Sequence, residues 1–404
     1  MNSPAVHVFT SITSNYLPKA RVLAHSVKRC NPDVVFHLML SDDPPTGWSL
    51  EDEPFDALIR LEDLDIPDLR QWAFGHTVVE LCTAVKGAAF QHILDAGAGK
   101  VFFFDPDMVV FSRLDELIAR LDHASILLTP HQTHPDQTLE AIADNEIASL
   151  KHGSFNLGFL AVRASDEGRR FIDWWAERLR HFCHDDPLNG LFTDQRWVNL
   201  APCFFEDIAI LRDSGFNVAT WNLSTRPASG SLDNGVTVGG EPLGFYHFSG
   251  MDSGAQEVML GKYGKDVPVL QELRAWYLEE CERMGQSELG RLPARYSCFD
   301  DGTPIAKAQR VLYRNRVDLR RAFPDPFAVP ADGGYLGWYR ANHGESAELA
   351  GQVVLTPEMR YSKALEGFLD FTEQRLGATR RLSGWRKSIA QRALGVMRGV
   401  ARRV

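Results

Sequence analysis

Lys100–Leu117 reads KVFFFDPDMVVFSRLDEL, and the fold class turns on this stretch. Val101–Phe104 is an apolar run that ends at Asp105-Pro106-Asp107, and a second run, Met108–Phe111, follows it. A continuous apolar run of strand length predicts a strand buried on both faces of a largely parallel sheet. Pro106 offers no N–H to a ladder, so the strand stops where the acids begin. An unpaired buried carboxylate is strongly unfavourable, so a pair of them at a strand's end calls for a cation or a solvent-filled cleft. In open α/β sheets ligands bind just beyond the carboxyl ends of strands. Asp105 and Asp107 therefore read as hard oxygen ligands for a divalent cation that carries a phosphate-bearing substrate.

The bulk composition fits that reading. With 404 residues, 44% of them apolar and 24% charged, the chain suits a soluble protein with one large domain and an appendage. A formal net charge of −10 argues against a nucleic-acid partner. The cysteines Cys30, Cys82, Cys183, Cys203, Cys281 and Cys298 form no CxxC pair, which predicts reduced thiols over a disulfide framework or a zinc site. The opening MNSPAVHVFT has neither the basic start nor the apolar core of a signal peptide. No stretch reaches the roughly 20 apolar residues of a membrane span. A cytoplasmic location is the expectation.

Upstream of the organising stretch, Val6–Thr10 alternates as a short strand and Ser11–Asn15 is a polar turn. Ala20, Leu23, Ala24 and Val27 recur at helical spacing until Asn31-Pro32, and Phe36–Leu40 is a second strand. In such a βαβ opening the first turn shares its sheet edge with other strand ends, which places Thr10, Asn15 and Tyr16 where a nucleotide could dock. A polar turn that only caps its helix gives the same pattern. Residues 42–76 read as loops. Thr77 and Glu80 fit a capping box for a helix over about 78–96 that carries Lys86. Gly97–Lys100 precedes a strand and lacks a following Ser or Thr, so it reads as a turn and not a phosphate loop.

Downstream, Phe155–Phe159 begins a strand that contains Asn156, whose amide needs hydrogen-bond partners from backbone or from a sugar. Asp166–Cys183 is an amphipathic helix with acids in its first turn, and Trp174 and Trp175 read as core. Thr193–Trp197, with Asp194 beside Gln195, is either a capped helix start or part of a polar wall. Asn217–Leu223 reads as a strand. Leu243–Gly250 is another, with His247 near its end, a position more often filled by a hydrogen-bonded core histidine.

Taken together, Asn15-Tyr16, Lys86, Asp105-Pro106-Asp107, Phe155-Asn156-Leu157-Gly158, Asp194-Gln195 and His247-Phe248-Ser249-Gly250 occur in the order and approximate spacing of a GT-A-type glycosyltransferase. The chain resembles glycosyltransferase family 8, galactosyl- and glucosyltransferases that use sugar nucleotides, over about residues 6–253. The resemblance implies an α/β fold: a mixed, mainly parallel sheet flanked by helices, with a Rossmann-like nucleotide-binding half and a C-terminal helical appendage. Domains are expected at 1–255, 256–355 and 356–404. Asp105, Asp107 and His247 are implied as ligands of Mn²⁺, with Mg²⁺ a less comfortable fit to an imidazole. Thr10, Asn15 and Tyr16 would flank the base and ribose, and Lys86, Asp105, Asn156, Asp194 and Gln195 would face the donor, Asp194 and Gln195 as the catalytic pair. The implied partners are a nucleotide-sugar donor, with a UDP-sugar favoured, and a glycan or lipid-linked acceptor, as in bacterial-type surface polysaccharide assembly.

This sequence departs from the family pattern twice. Ser14 replaces an acid before Asn15-Tyr16, and Ser253 replaces a diphosphate-binding lysine, for which Lys262 or Lys265 could substitute. For retention of configuration, which the resemblance suggests, Gln195 or Asp194 would stabilise an oxocarbenium-like sugar; for inversion, Asp194 and then Asp252 are the candidate bases. Two alternatives stand beside this reading. A haloacid-dehalogenase-like phosphatase would use Asp105 as nucleophile and Asp107 as acid/base and would need a further acidic pair after a strand, whereas Asp185-Asp186 follows a helix. A catalytically silent sugar-nucleotide scaffold is the other.

Asp266–Met284 is an amphipathic helix expected to pack on the catalytic domain, followed by an aromatic-rich helical and irregular segment. A further helix is expected from Thr356-Pro357-Glu358. Residues 378–404 hold eight Lys or Arg and no acid, with Leu382, Trp385, Ile389, Val396 and Val400 at helical spacing. That pattern suits peripheral attachment to an anionic inner membrane face, or a solvated basic helix that docks a partner.

Overall fold

The computed structural model describes residues 6–331 and 333–343. These fall into two compact units divided between Pro304 and Ile305. The first runs β1 (Val6–Ile12), α1 (Leu17–Cys30), β2 (Val35–Leu40), β3 (Ala57–Arg60), α2 (Leu69–Phe74), α3 (Val78–Ala84), α4 (Lys86–Asp95), β4 (Lys100–Phe104), β5 (Met108–Val110), α5 (Asp115–His123) and β6 (Ile126–Pro130). It continues with β7 (Phe155–Arg163), α6 (Asp166–Phe182), α7 (Gln195–Val198), β8 (Ile208–Ile210), β9 (Phe245–His247), α8 (Ala255–Tyr263) and α9 (Pro268–Arg283).

Seven strands form one sheet in the order β8-β6-β7-β4-β1-β2-β3. All share a direction except β7, which is antiparallel to both β4 and β6. The sheet is thus mixed and mainly parallel, with helices on both faces, as expected. β4 sits at its centre, and each of its residues is buried. Successive strand side chains point to opposite faces, so the run Val101–Phe104 serves two cores. Phe102 and Phe104 join Leu23, Val27, Leu117 and Leu121 from α1 and α5. On the other side Phe9 lies 4.9 Å from both Phe103 and Phe90, and Phe90 reaches Trp175 of α6 at 6.3 Å.

The expected helix over 78–96 is present in two pieces, α3 and α4, and its capping box closes as read: Thr77 Oγ1 accepts from the Glu80 N–H, and Glu80 Oε2 accepts from the Thr77 N–H. Residues 42–76 are more ordered than the loops expected of them, since they contain the edge strand β3 and helix α2. Asn217–Leu223 is not a strand. Only Val218 bridges to Tyr246, and Thr220–Asn222 is a 3₁₀ turn. The Asn222 amide explains the difference: its oxygen accepts from the Ala219 N–H and its NH₂ donates to the Asn217 carbonyl, so a side chain takes the bonds a ladder would use.

Helix α9 packs its Leu270, Leu273, Tyr277 and Cys281 into the same core as Tyr246 and Phe248, and the Phe248 and Tyr277 rings stack at 4.0 Å. In the second unit, α10 (Lys307–Asn315), α11 (Val317–Ala322) and α12 (Gly334–His343) gather around Tyr313 and Tyr335, whose rings meet edge to face at 5.2 Å. Among the described residues no helix is long and apolar enough to cross a membrane. The helix expected from Thr356 and the basic segment 378–404 lie outside the described residues.

Candidate metal centre

β1 and β4 are parallel neighbours, so the turn after β1 and the Asp105-Pro106-Asp107 turn after β4 open at one edge of the sheet. β7 runs the other way, and its first residues, including Asn156, therefore lie at that same edge. A separate two-stranded ribbon completes the site: β9 is antiparallel to β5, with His247 opposite Met108. The backbone fixes these pieces tightly, because the Asp105 N–H donates to Gly158 O at 2.7 Å and the Phe248 N–H to Asp107 O at 2.8 Å.

The cross-strand register turns the His247 ring onto the acids. Its Nε2 lies 3.0 Å from Asp107 Oδ1 and 3.9 Å from Asp105 Oδ2, and one ligand atom from each residue falls within 4.8 Å of the others. The ring is oriented from behind. The Gly158 N–H donates to Asn156 Oδ1, which fixes the amide's orientation, and the same oxygen stands 3.2 Å from His247 Nδ1. With Nδ1–H donating there, Nε2 is the atom left facing the acids. Gly158 has to be a glycine for steric reasons: a Cβ there would stand 2.6 Å from the His247 ring and 2.8 Å from Asn156 Oδ1.

On the other flank Lys86, the first residue of α4, is almost wholly buried. Its Nζ lies 3.1 Å from Asp105 Oδ1, 2.9 Å from Asp194 Oδ2 and 3.1 Å from the Leu157 carbonyl, above the Phe103 ring. Asp194 takes its second contact from Thr193 Oγ1 at 3.0 Å, and Trp175 Nε1 donates to its carbonyl. Gln195 is held at both ends, by the Leu157 N–H at Oε1 and by the His152 carbonyl at Nε2. Asp194 and Gln195 therefore face the Lys86 and Asn156 side of the cluster, while Arg196 and Trp197 bond backbone carbonyls elsewhere and Asp194 makes no side-chain cap on α7.

Burial and pairing set the charges. Burial pushes the Asp105 carboxyl above its ordinary range, with Lys86 and His247 opposing. Burial acts on Asp107 too, but His247's charge and hydrogen bond outweigh it and hold that carboxyl low. His247 is raised, since Asp107 and then Asp105 overcome a burial that disfavours the imidazolium. Burial also opposes the Lys86 cation, yet Asp105 and Asp194 raise it. Two carboxylates with one imidazole, converging at a half-buried sheet edge, form a donor set that could hold a divalent ion and that suits one of intermediate hardness such as Mn²⁺.

The remaining predicted residues lie around this centre. Thr10 is fully buried near the end of β1, and its Oγ1 makes no hydrogen bond. Asn15 accepts from Thr13 Oγ1 in the turn before α1, and the Tyr16 hydroxyl donates to Asp252 Oδ2 at 2.5 Å. At Ser14, where the resemblance expects an acid, the backbone N–H instead donates to Asp42 Oδ2 at 3.0 Å. Asp42, held above its usual range by burial, reaches that turn from beyond β2. Lys262 is committed to Asp144 and Glu140. Sequence reasoning missed His131, whose Nε2 meets the Asn156 amide at 3.3 Å and which burial holds neutral with a pKa of about 4. It also missed Lys19, a lysine on the buried face of α1 and so visible as a break in an apolar pattern.

No family model matches the chain. In sequence it is similar to two uncharacterized proteins of Bacillus subtilis (strain 168). It is 27% identical to YfnD over 251 residues, 60% of this chain and 77% of YfnD. It is 26% identical to YfnF over 175 residues, 42% of this chain and 56% of YfnF. Among solved structures, the galactosyltransferase LgtC in complex with donor and acceptor sugar analogs is 16% identical with a TM-score of 0.42, over 71% of this chain and 97% of LgtC. Mouse xyloside xylosyltransferase 1 is 15% identical with a TM-score of 0.37, over 61% of this chain and 98% of its own. The glycosyltransferase GlyE of Streptococcus pneumoniae TIGR4 is 13% identical with a TM-score of 0.38, over 74% and 67%.

Proposed function

We propose that the protein is a metal-dependent glycosyltransferase of the family 8 type, moving a hexose from a nucleotide-sugar donor to a glycan or glycolipid acceptor in surface polysaccharide assembly. The convergence of Asp105, Asp107 and His247 supports this reading, since the histidine lies 140 residues beyond Asp107 in sequence yet meets it at 3.0 Å. These residues would hold the ion. When bound, it supplies a Lewis acid for the charge that builds on a departing diphosphate.

The protein's own groups have separate tasks. Asn156 keeps His247 in the tautomer a ligand needs. Lys86 bridges Asp105 and Asp194, one ammonium shared by two carboxylates, so this side of the cleft carries a preorganised cluster of charge beside the place assigned to the donor sugar. Asp194 is paired at Oδ2 with Lys86 and at Oδ1 with Thr193, and Asp252 is held by Lys19 and Tyr16. Asp194, the first candidate, is thus no free base, which favours retention, with Asp194 acting through its field. Gln195, bonded to backbone at both ends, holds the start of β7 in place beside it.

The phosphatase alternative is weaker. Asp185-Asp186 sits in a separate two-stranded ribbon with Leu191-Phe192 and not at the end of a strand of the main sheet. Incubating the full-length protein with a panel of sugar nucleotides and Mn²⁺, with mass-spectrometric detection of donor hydrolysis, tests the proposal. One donor should be consumed in the presence of Mn²⁺ and spared in EDTA. Metal-dependent binding without turnover would support the silent scaffold.

A further inference from the structure

A diphosphate brings more negative charge than one divalent ion at an Asp-Asp-His set neutralises, so a second cation is needed at this edge. Lys86 is already committed to Asp105, Asp194 and the Leu157 carbonyl. Lys262 is committed to Glu140 and Asp144, Lys265 is exposed in the turn after α8, and Ser253 carries no charge. Lys19, in the first turn of α1, is placed differently. Its side chain is only 6% exposed, its charge reaches Asp107, and its Nζ sits 4.2 Å over the Tyr16 ring. Both oxygens of Asp252 contact that Nζ, at 2.7 and 2.6 Å, while the Tyr16 hydroxyl donates to one of them.

The pair is asymmetric. The Asp252 side chain is 56% exposed and belongs to the turn-rich segment between β9 and α8, so it can rotate into water at small cost. Lys19 cannot, because leaving a buried ammonium without a counter-charge is strongly unfavourable. We propose that Lys19 is the protein's diphosphate-binding cation and that Asp252 is its resident counter-ion, exchanged for phosphate oxygens when a nucleoside diphosphate group binds. Tyr16, whose hydroxyl burial and Asp252 keep protonated, then donates to the incoming anion in place of the carboxylate. This rests on the sugar-nucleotide reading and adds a residue to it.

The test is calorimetric titration of the full-length protein with UDP, GDP and ADP at saturating Mn²⁺. Removing a charge-assisted contact corresponds to about a tenfold or greater loss of affinity. Lys19→Ala should therefore weaken the diphosphate that binds wild type by about that factor, and Lys19→Arg should restore most of the loss. Asp252→Asn, which keeps an amide oxygen for the Lys19 ammonium and the Tyr16 hydroxyl but removes the counter-charge, should tighten binding, with each variant checked for folding by circular dichroism. A pair that is merely structural would weaken binding in both variants, and unchanged affinity in Lys19→Ala or weaker binding in Asp252→Asn overturns the inference. Wild-type protein that binds none of the three diphosphates would overturn the sugar-nucleotide reading itself, and the inference with it.

Discussion

At the scale of residues, the Asn156–His247 contact has a measurable consequence. The far nitrogen of an imidazole ligand sets its tautomer and basicity, and removing such a partner costs about 10–100-fold in metal affinity. Asn156→Ala should weaken Mn²⁺ binding by that order while leaving the fold intact, as judged by titration alongside circular dichroism. Unaltered affinity would mean that His247 is oriented by its strand alone. The same ring makes metal binding pH-dependent. His247 holds its proton above the usual range, so an ion that takes Nε2 must displace it. Mn²⁺ affinity should rise with pH, with about one proton released per ion over the range where His247 titrates. Metal-free stability should move the opposite way. A group raised on folding contributes fully below its unfolded pKa, and that contribution is lost as pH rises through the folded value. His247 and Asp105 are both raised. Asp107, which is lowered, loses its contribution only as pH falls through its folded value. Melting curves in EDTA should therefore decline on the alkaline side, and Mn²⁺ should remove the decline.

At the scale of elements, α6 supports the Lys86–Asp194 pair from both ends. Trp175 donates to the Asp194 carbonyl, and Ala176 packs so closely against α4 that a Cβ on Gly87 would lie 2.6 Å from the Ala176 Cα. That obstacle is backbone, so the helices would have to part. Gly87→Ala should destabilise the protein by roughly 1–3 kcal/mol, as overpacking does, and should weaken donor binding by moving the neighbouring Lys86. A melting temperature equal to wild type would show that α4 and α6 slide without loss. The same scale shows how far the sequence carried. The β4 run, the α3 capping box and the meeting of Asp105, Asp107 and His247 were legible, because each rests on local pattern or on motif order. The direction of β7 was not, since an apolar run buried on both faces looks the same read either way. Asn217–Leu223 misled for a related reason: its apolar alternation is real, but the Asn222 amide spends the backbone bonds within the turn. Lys19 stood out as a break in the apolar face of α1, but its partner Asp252 lies 233 residues away, and His131 meets Asn156 across 25 residues, so no spacing reveals either contact.

At the scale of the whole molecule, charge is unevenly spread. The chain carries −10 overall, yet residues 378–404 hold eight Lys or Arg without an acid. The proposed role of that segment is to hold the enzyme on an anionic bilayer, where each basic residue near the surface contributes about 1 kcal/mol. Ending the chain at Gly377 should abolish co-sedimentation with anionic vesicles and spare donor hydrolysis in solution. Sedimentation that survives the truncation would assign the segment to another partner. The catalytic proposal stands apart from this, on the ion held between Asp105, Asp107 and His247. Its most direct test is the equilibrium binding of Mn²⁺ to the full-length protein, followed by electron paramagnetic resonance. Wild type should bind one ion, and Asp107→Ala and His247→Ala, each checked for folding, should both lose it. A folded His247→Ala protein that binds Mn²⁺ as tightly as wild type would contradict the shared site.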